Sequence, residues 1–587
     1  MTSQEAISEL RQRIPGSIIG NRYLLWVLYL GAALGFTACA TTQTNDPLPA
    51  PRLILQITVD QLRGDLPTRH FDQFGDGGFR YLWEQGAVYT DAYHNHANNE
   101  TIVGHTTLAT GATPAAHGMI GNTWLDRETG ETVYNIEDAR FPLLTAGAGV
   151  DQETEIDPTQ RAARSEGRSP SAILVSTFSD ELAAYTGGQA KVFAVSVKDR
   201  GAVSMAGHAG KAFWFSKASG QFVTSSYYFD RYPDWVNEWN QQNLTSRYGD
   251  TQWQLLHPQN TYLFGDSDDR PWETDLAGFG RTFPHPWGSA DSKYYTTLLT
   301  VSPAGDELTL DFAKALIENE KLGDDDVPDY LGISFSSTDY VGHLFGPSSL
   351  EAEDNILRLD RVLAELLAYV DEKIGLEHTL IVLSADHGGP DTPGYSKSLG
   401  IPGGYVDPES WDRESAIARL KREFNIDGEL IEKYQHPYVY LSPQITSRSD
   451  AERESIERAV AEELARFPEV SLAISSRALE YGNLPDTELI RAVLRNFNAK
   501  RSGDVYVVFE PNWFINDFDG LVVASTHGSP WRYDSFVPVV FAGSDIRPQR
   551  IHRRIFTVDV ARTLAAYLGI RPPSGATGSV LHEVLNK

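Results

Sequence analysis

Short apolar runs, each closed by charged or imidazole side chains, recur along the chain and alternate with segments of helical period. "RLILQITVD" (52–60) is a nearly continuous apolar run of strand length ending in Asp60. Such a run suits a parallel strand buried on both faces. "KVFAVSV" is followed by Lys198, Asp199 and Arg200, "YLGISFSS" by Asp339 and His343, and "TLIVLSA" by Asp386 and His387. Between the last two runs, Ile356, Leu359, Leu363, Leu366, Leu367 and Val370 fall on one stripe of "EDNILRLDRVLAELLAYVDEKIG", which predicts a helix and a strand–helix–strand crossover. The expected fold is α/β, a central, largely parallel sheet sandwiched by helices. In open α/β sheets ligands gather beyond the carboxyl ends of the strands, so these polar endings should converge on one crevice.

Two segments interrupt the pattern. Residues 210–300 hold six of the twelve tryptophans and read as an inserted cap over the crevice. Residues 390–505 read as a second insertion carrying the helical run "AERESIERAVAEELARF". The stretch Asn98–Asn122, with five threonines, has neither a strand nor a clean amphipathic helix period.

At 587 residues with 41% hydrophobic and 22% charged residues, the chain is globular in composition. A formal net charge of −29 argues against nucleic acid or anionic lipid as a partner, so an anionic substrate needs a local, strongly positive site. Arg11, Arg13 and Arg22 precede the apolar run "YLLWVLYLGAALGFTA", which leads to Cys39, the single cysteine. This arrangement predicts a lipoprotein-type signal peptide over 1–38, with Cys39 lipidated. A tether over 39–50 and a catalytic domain over 51–587 follow. The alternative is a retained membrane anchor. Either way the remaining chain is expected outside the cytoplasm, in the periplasm or at the cell surface. With no cysteine pair, stability must come from core burial.

The strand-end residues supply candidate chemistry. Asp60, Asp339, Asp386, His343, His387 and His527 of "STHGSP" offer three carboxylates and three imidazoles, a donor set that suits zinc. Six ligands are too many for one catalytic zinc, and two metals together suit phosphoryl transfer. A metal ion beside a threonine would also acidify its hydroxyl without a neighbouring base. Lys198 and Arg200, two apart after a strand, would point the same way if extended. "GDSDDRPWE" reads as a solvated acidic loop, with calcium binding as the alternative. There is no G-x-S-x-G elbow, H-E-x-x-H helix or Walker A loop.

"VDQLRGD", "ETIVGHTTLATG", "HGMIGN", "VKDRG", "TDYVGH", "ADHGG" and "THGSP" occur in the order and at about the spacings of the alkaline phosphatase superfamily. The chain resembles its phosphate-irrepressible, threonine-nucleophile bacterial phosphatases. The resemblance implies that Thr101 is the nucleophile and is phosphorylated transiently. It implies one zinc held by Asp60, Thr101, Asp386 and His387, and another held by Asp339, His343 and His527. Asn122, Lys198 and Arg200 would bind the phosphoryl oxygens. The sulfatase branch needs C-x-P-x-R, and the single cysteine lies in "ACATT". The expected activity is release of inorganic phosphate from small phosphate monoesters, by a monomer. The alternatives are a phosphodiesterase or nucleotide pyrophosphatase on the same metals, and a non-catalytic surface binding protein.

Overall fold

A computed structural model describes residues 51–482, 484–518 and 521–585. Cys39, the signal segment and the tether lie outside them. From residue 51 onward the chain forms one compact unit. Its centre is a nine-stranded sheet built from β1 (Leu53–Val59), β2 (Ala87–Tyr89), β3 (Val192–Ser196), β4 (Lys211–Ser216), β5 (Gln221–Val223), β6 (Asp329–Phe335), β7 (Thr379–Ser384), β8 (Val539–Gly543) and β9 (Gln549–Ile551). The spatial order is β9-β2-β8-β7-β1-β6-β3-β4-β5. The sheet is mixed and mostly parallel: β8 pairs antiparallel to β7 and β2, and β5 to β4.

The predicted strands are present, and their apolar runs explain their central place. Leu53, Ile54, Leu55, Ile57 and Val59 of β1 are all fully buried, each contributing about 1.5–3 kcal/mol of transfer free energy. Because β7, β1, β6 and β3 run parallel, their carboxyl ends lie on one edge: Val59 pairs with Phe335, Thr58 with Ser384, and Ser334 with Ser196. The residues following each strand therefore meet above that edge. The crossover from β6 to β7 passes over β1, which lies between them.

Four helices bear on the site: α1 (Thr101–Thr110), α2 (Asp199–Ala206), α3 (Ser337–Phe345) and α4 (Leu350–Lys373). The stripe predicted on α4 is buried throughout. Every residue of α1 is buried, which is why its sequence shows no period: a helix enclosed on all sides needs no polar face. Gly104 lets α1 approach the β7 loop closely, since a Cβ there would stand 1.7 Å from the carbonyl oxygen of Asp386.

Both insertions differ from the sequence expectation. Lys211–Ser216 and Gln221–Val223 belong to the central sheet, so the first insertion starts after Val223. Its aromatic side chains also fill the core instead of roofing the crevice. Trp239 packs edge-on to Phe312 at 5.1 Å, and Trp253 donates its indole N–H to Asp354 of α4. Tryptophan richness signals burial without saying against which surface. The second insertion forms a four-stranded sheet from Ile431–Gln435, Tyr438–Leu441, Val505–Phe509 and Val470–Ser475, so it extends past residue 505. The predicted helix is Asp450–Leu464, opened by a capping box at Ser449 and Glu452. This insertion touches the core loops: His436 Nε2 donates to Gly528 O at 2.9 Å, and Asn496 accepts from Asn98 N–H and donates to Ile120 O.

Candidate active site

Thr101 is the first residue of α1 and is 1% exposed. The backbone N–H groups of a helix's first turn have no intrahelical partner, so its start favours negative charge. Here the Ile102 N–H is taken by Asn122 Oδ1 at 3.1 Å, which docks Asn122 beside Thr101. Thr101 Oγ1 lies 3.3 Å from Arg200 Nη2, the donor, and 3.5 Å from His387 Nε2.

Lys198 and Arg200 reach the site by a route different from the extended one expected. Lys198 is the N-cap of α2 and Arg200 lies within the helix. Lys198 Nζ is 2.7 Å from Asp60 Oδ2 and closer still to Asp339 Oδ2, above the Tyr340 ring. Burial alone would lower its pKa, but Asp339 and Asp60 outweigh this and hold the ammonium above the ordinary lysine value. Arg200 Nη1 pairs with Asp157 Oδ2 at 2.7 Å. Beneath it, Asp199 accepts from Tyr134 OH at 2.6 Å and Arg168 Nε at 2.7 Å, fixing the start of α2.

All three histidines present the same nitrogen inward. His343 Nδ1–H donates to Ser525 O, His387 Nδ1–H to Gly388 O, and His527 Nδ1–H to Asn99 O, at 2.7–2.8 Å. A carbonyl cannot donate, so Nδ1 carries the proton and Nε2 faces the carboxylates. A ring held by its Nδ1–H on a backbone carbonyl, with Nε2 left open, is typical of metal-ligating histidine. His343 Nε2 and His527 Nε2 each lie 3.3 Å from Asp339 Oδ1, and His387 Nε2 lies 3.4 Å from Asp60 Oδ1. Two sets of donor atoms each fall within 4.8 Å of one another: Asp339, His343 and His527, and Asp60, Asp339 and His387.

Electrostatics agree with a cation-binding site. Both oxygens of Asp60 and Oδ2 of Asp386 are buried without a hydrogen bond, although Lys198 stands at ion-pair distance from Asp60. Burial, then the Asp386 charge, push the Asp60 carboxyl well above the carboxylate range. Burial also keeps His387 neutral, well below the usual imidazole value, as a ligand must be. The donor set of carboxylates and imidazoles, with Nε2 of each histidine turned inward, thus fits divalent metal. His105 is buried and joins Thr101 O at 2.9 Å to Ser334 Oγ at 2.9 Å. Gly528, at φ +122°, brings the His527 loop against His436 at a conformation other residues rarely adopt.

A cavity of about 1340 Å³ opens over Asn122, Arg200, Asp339 and His527. Its far wall comes from the second insertion, including Tyr405 and Tyr434.

The type I phosphodiesterase / nucleotide pyrophosphatase family matches residues 54–530. The chain belongs to that family. Among curated relatives, alkaline phosphatase PafA of Elizabethkingia meningoseptica is 33% identical over 577 residues, 97% of this chain and 99% of that protein. Alkaline phosphatase PhoV of Synechococcus elongatus is 33% identical over 545 residues, 91% and 93% of the two chains. The crystal structure of wild-type PafA superposes with a TM-score of 0.83 at 32% identity, covering 92% of this chain and all of that one.

For this family member, the sequence motifs name seven side chains that the fold brings together with Asn122, Lys198 and Arg200. Asp157 was missed. It lies in the loop "IDPTQ" and caps the Pro158–Arg161 helix through Thr159 N–H, so its local signature is that of an ordinary N-cap. Its second oxygen holds Arg200. Burial would raise its pKa, but Arg200 outweighs this and holds it well below the carboxylate range. We expect Asp157→Ala to lower monoester kcat/KM by about tenfold, on the order of one charge-assisted hydrogen bond. Asp157→Asn should recover part of that loss. Steady-state kinetics of both variants check this, and an unchanged kcat/KM in Asp157→Ala would remove Asp157 from the site.

Proposed function

We propose that the protein is an exported, zinc-dependent alkaline phosphatase that releases inorganic phosphate from small phosphate monoesters through a phosphothreonine intermediate. The observation that carries this reading is the placing of the Arg200 guanidinium beside the Thr101 hydroxyl, with the Lys198 ammonium between Asp60 and Asp339. A phosphomonoester is a dianion, and its transfer is promoted mainly by positioned positive charge.

Asp60, Thr101, Asp386 and His387 would hold one zinc ion, and Asp339, His343 and His527 another. When bound, zinc supplies Lewis acidity toward the Thr101 hydroxyl and toward the leaving oxygen of the ester. Arg200 and Asn122 then orient the phosphoryl group over Thr101, with the start of α1 favouring the negative charge there. Thr101 Oγ forms the bond to phosphorus as the ester oxygen leaves with its electron pair. Water later displaces the threonine oxygen and frees phosphate. Lys198 neutralises charge on the oxygens that face Asp339 and Asp60.

A second reading, phosphodiesterase or nucleotide pyrophosphatase, is favoured by the description of the matching family. One experiment separates the two. Phosphate release from matched mono- and diesters is measured alongside zinc content. The monoester should be preferred, and chelation should abolish turnover with restoration by zinc. Preference for diesters, or full activity in metal-free protein, would overturn the proposal.

A further inference from the structure

The aromatic first insertion holds ionisable side chains that the phosphoryl site does not use. Glu351, in the first turn of α4, is fully buried, and neither carboxylate oxygen has a hydrogen-bond partner. His285 is also fully buried. Its Nδ1–H donates to Phe279 O at 3.0 Å, so Nε2 keeps its lone pair and faces Glu351 Oε1 at 3.3 Å without hydrogen-bond geometry. Glu273, 6% exposed, has Oε1 without a partner as well. It ends "GDSDDRPWE", the acidic loop noted in the sequence, whose Asp268 accepts from Phe283 N–H.

The surroundings cannot solvate this charge. Phe279, Phe283, Trp253 and Phe345 ring His285, with centroids 4.6–5.4 Å away. Burial, then the Glu351 charge, push the Glu273 carboxyl up to about 9, and burial, aided by Asp268 and Asp354, holds Glu351 well above the carboxylate range. Arg270 is the cation that counters Glu273. Glu351, buried with both oxygens open beside the imidazole of His285, has no hydrogen bond to offset its charge.

We propose that Glu273, His285 and Glu351 form a divalent-cation site separate from the phosphoryl site. Mixed carboxylate and imidazole donors suit the Mn²⁺ and Zn²⁺ class, whereas Ca²⁺ takes oxygen ligands. His285 and Glu351 stand 3.3 Å apart, but the three donors do not all fall within the 4.8 Å uniting each active-site set. Cation binding would therefore draw the Glu273 side chain inward, the cation replacing the carboxyl protons. Thr274 N–H already donates to Leu344 O at 2.8 Å. The site would thus clasp the first insertion to α4 and to the end of α3, the helix that carries Asp339 and His343.

The test uses the full chain. Bound metal per chain is measured by elemental mass spectrometry in wild type, Glu351→Gln and the active-site variant His343→Ala/His387→Ala/His527→Ala, which disables both phosphoryl-site metal sets. Glu351→Gln should lose about one ion per chain. The melting temperature of the active-site variant should still rise on adding Mn²⁺ or Zn²⁺ alone, and Glu351→Gln in that background should abolish the rise. If Glu351→Gln does not fold, His285→Gln replaces it in both measurements. A wild-type metal count in the folded variant overturns the proposal, as does a higher melting temperature with no change in metal. The cluster would then hold protons, not a cation. Neither readout depends on which phosphate ester is cleaved.

Discussion

Thr101→Ala is expected to abolish covalent phosphate capture and to lower monoester turnover by at least about a thousandfold, the scale of losing a nucleophile. In the proposed zinc site Thr101 would contribute one hydroxyl, and the remaining donors, Asp60, Asp386 and His387, follow β1 and β7. Zinc content should therefore fall little. Thr101→Ser keeps a hydroxyl at the start of α1 and should stay within about tenfold of wild type, since 1.4 kcal/mol corresponds to a factor of ten. The difference between serine and alanine is informative because both are smaller than threonine, so a packing role would affect them similarly. Acid quenching of wild type with labelled substrate should place the label on Thr101. Label on another residue, or a phosphoenzyme in Thr101→Ala, would refute the assignment.

Replacing both Lys198 and Arg200 by alanine should cost monoester turnover about 3 kcal/mol for each lost donor, on the order of one oxyanion-hole hydrogen bond. Diester turnover should fall far less, because a diester carries an uncharged alkoxy group where the monoester carries a charged oxygen. Lys198 also neutralises two buried carboxylates, so its removal alters metal affinity as well as substrate binding. Kinetics must therefore be read at saturating zinc with the metal content measured. Arg200→Ala alone lessens this complication, since Arg200 forms its ion pair with Asp157 and not with a predicted carboxylate ligand. Equal proportional loss of mono- and diesterase activity would show that the pair is no monoester clamp.

These residues were legible in the sequence because the buried strands end abruptly in charge. "RLILQITVD" and "TLIVLSA" announce both an internal strand and the edge where its ligand-facing side chain must stand. Other features left no such mark. Helix α1 is buried all round, so the periodicity that betrays a surface helix is missing from it. Asp157 joins Arg200 across 43 residues and has a sufficient local role as a cap. The aromatic segment was visible as an insertion, but its side chains could equally have faced the crevice or the core. Only the partners of Trp239 and Trp253 decide that. The paired Nδ1 bonds of the three histidines are likewise made to backbone carbonyls, which carry no sequence identity at all.

The second insertion grips the loop of His527 through the His436 bond to Gly528 O, and the approach to α1 through Asn496 at the end of its helix Glu488–Asn496. It is thus not an interchangeable module. A chimera that imports this segment from a relative would carry a foreign histidine or asparagine against native loops. It should mis-set an imidazole and the entry to the nucleophile's helix even when both parents are active. Successful exchange would require transplanting residues 98–122 and 525–530 with it, so these three separated stretches of sequence should behave as one unit of inheritance.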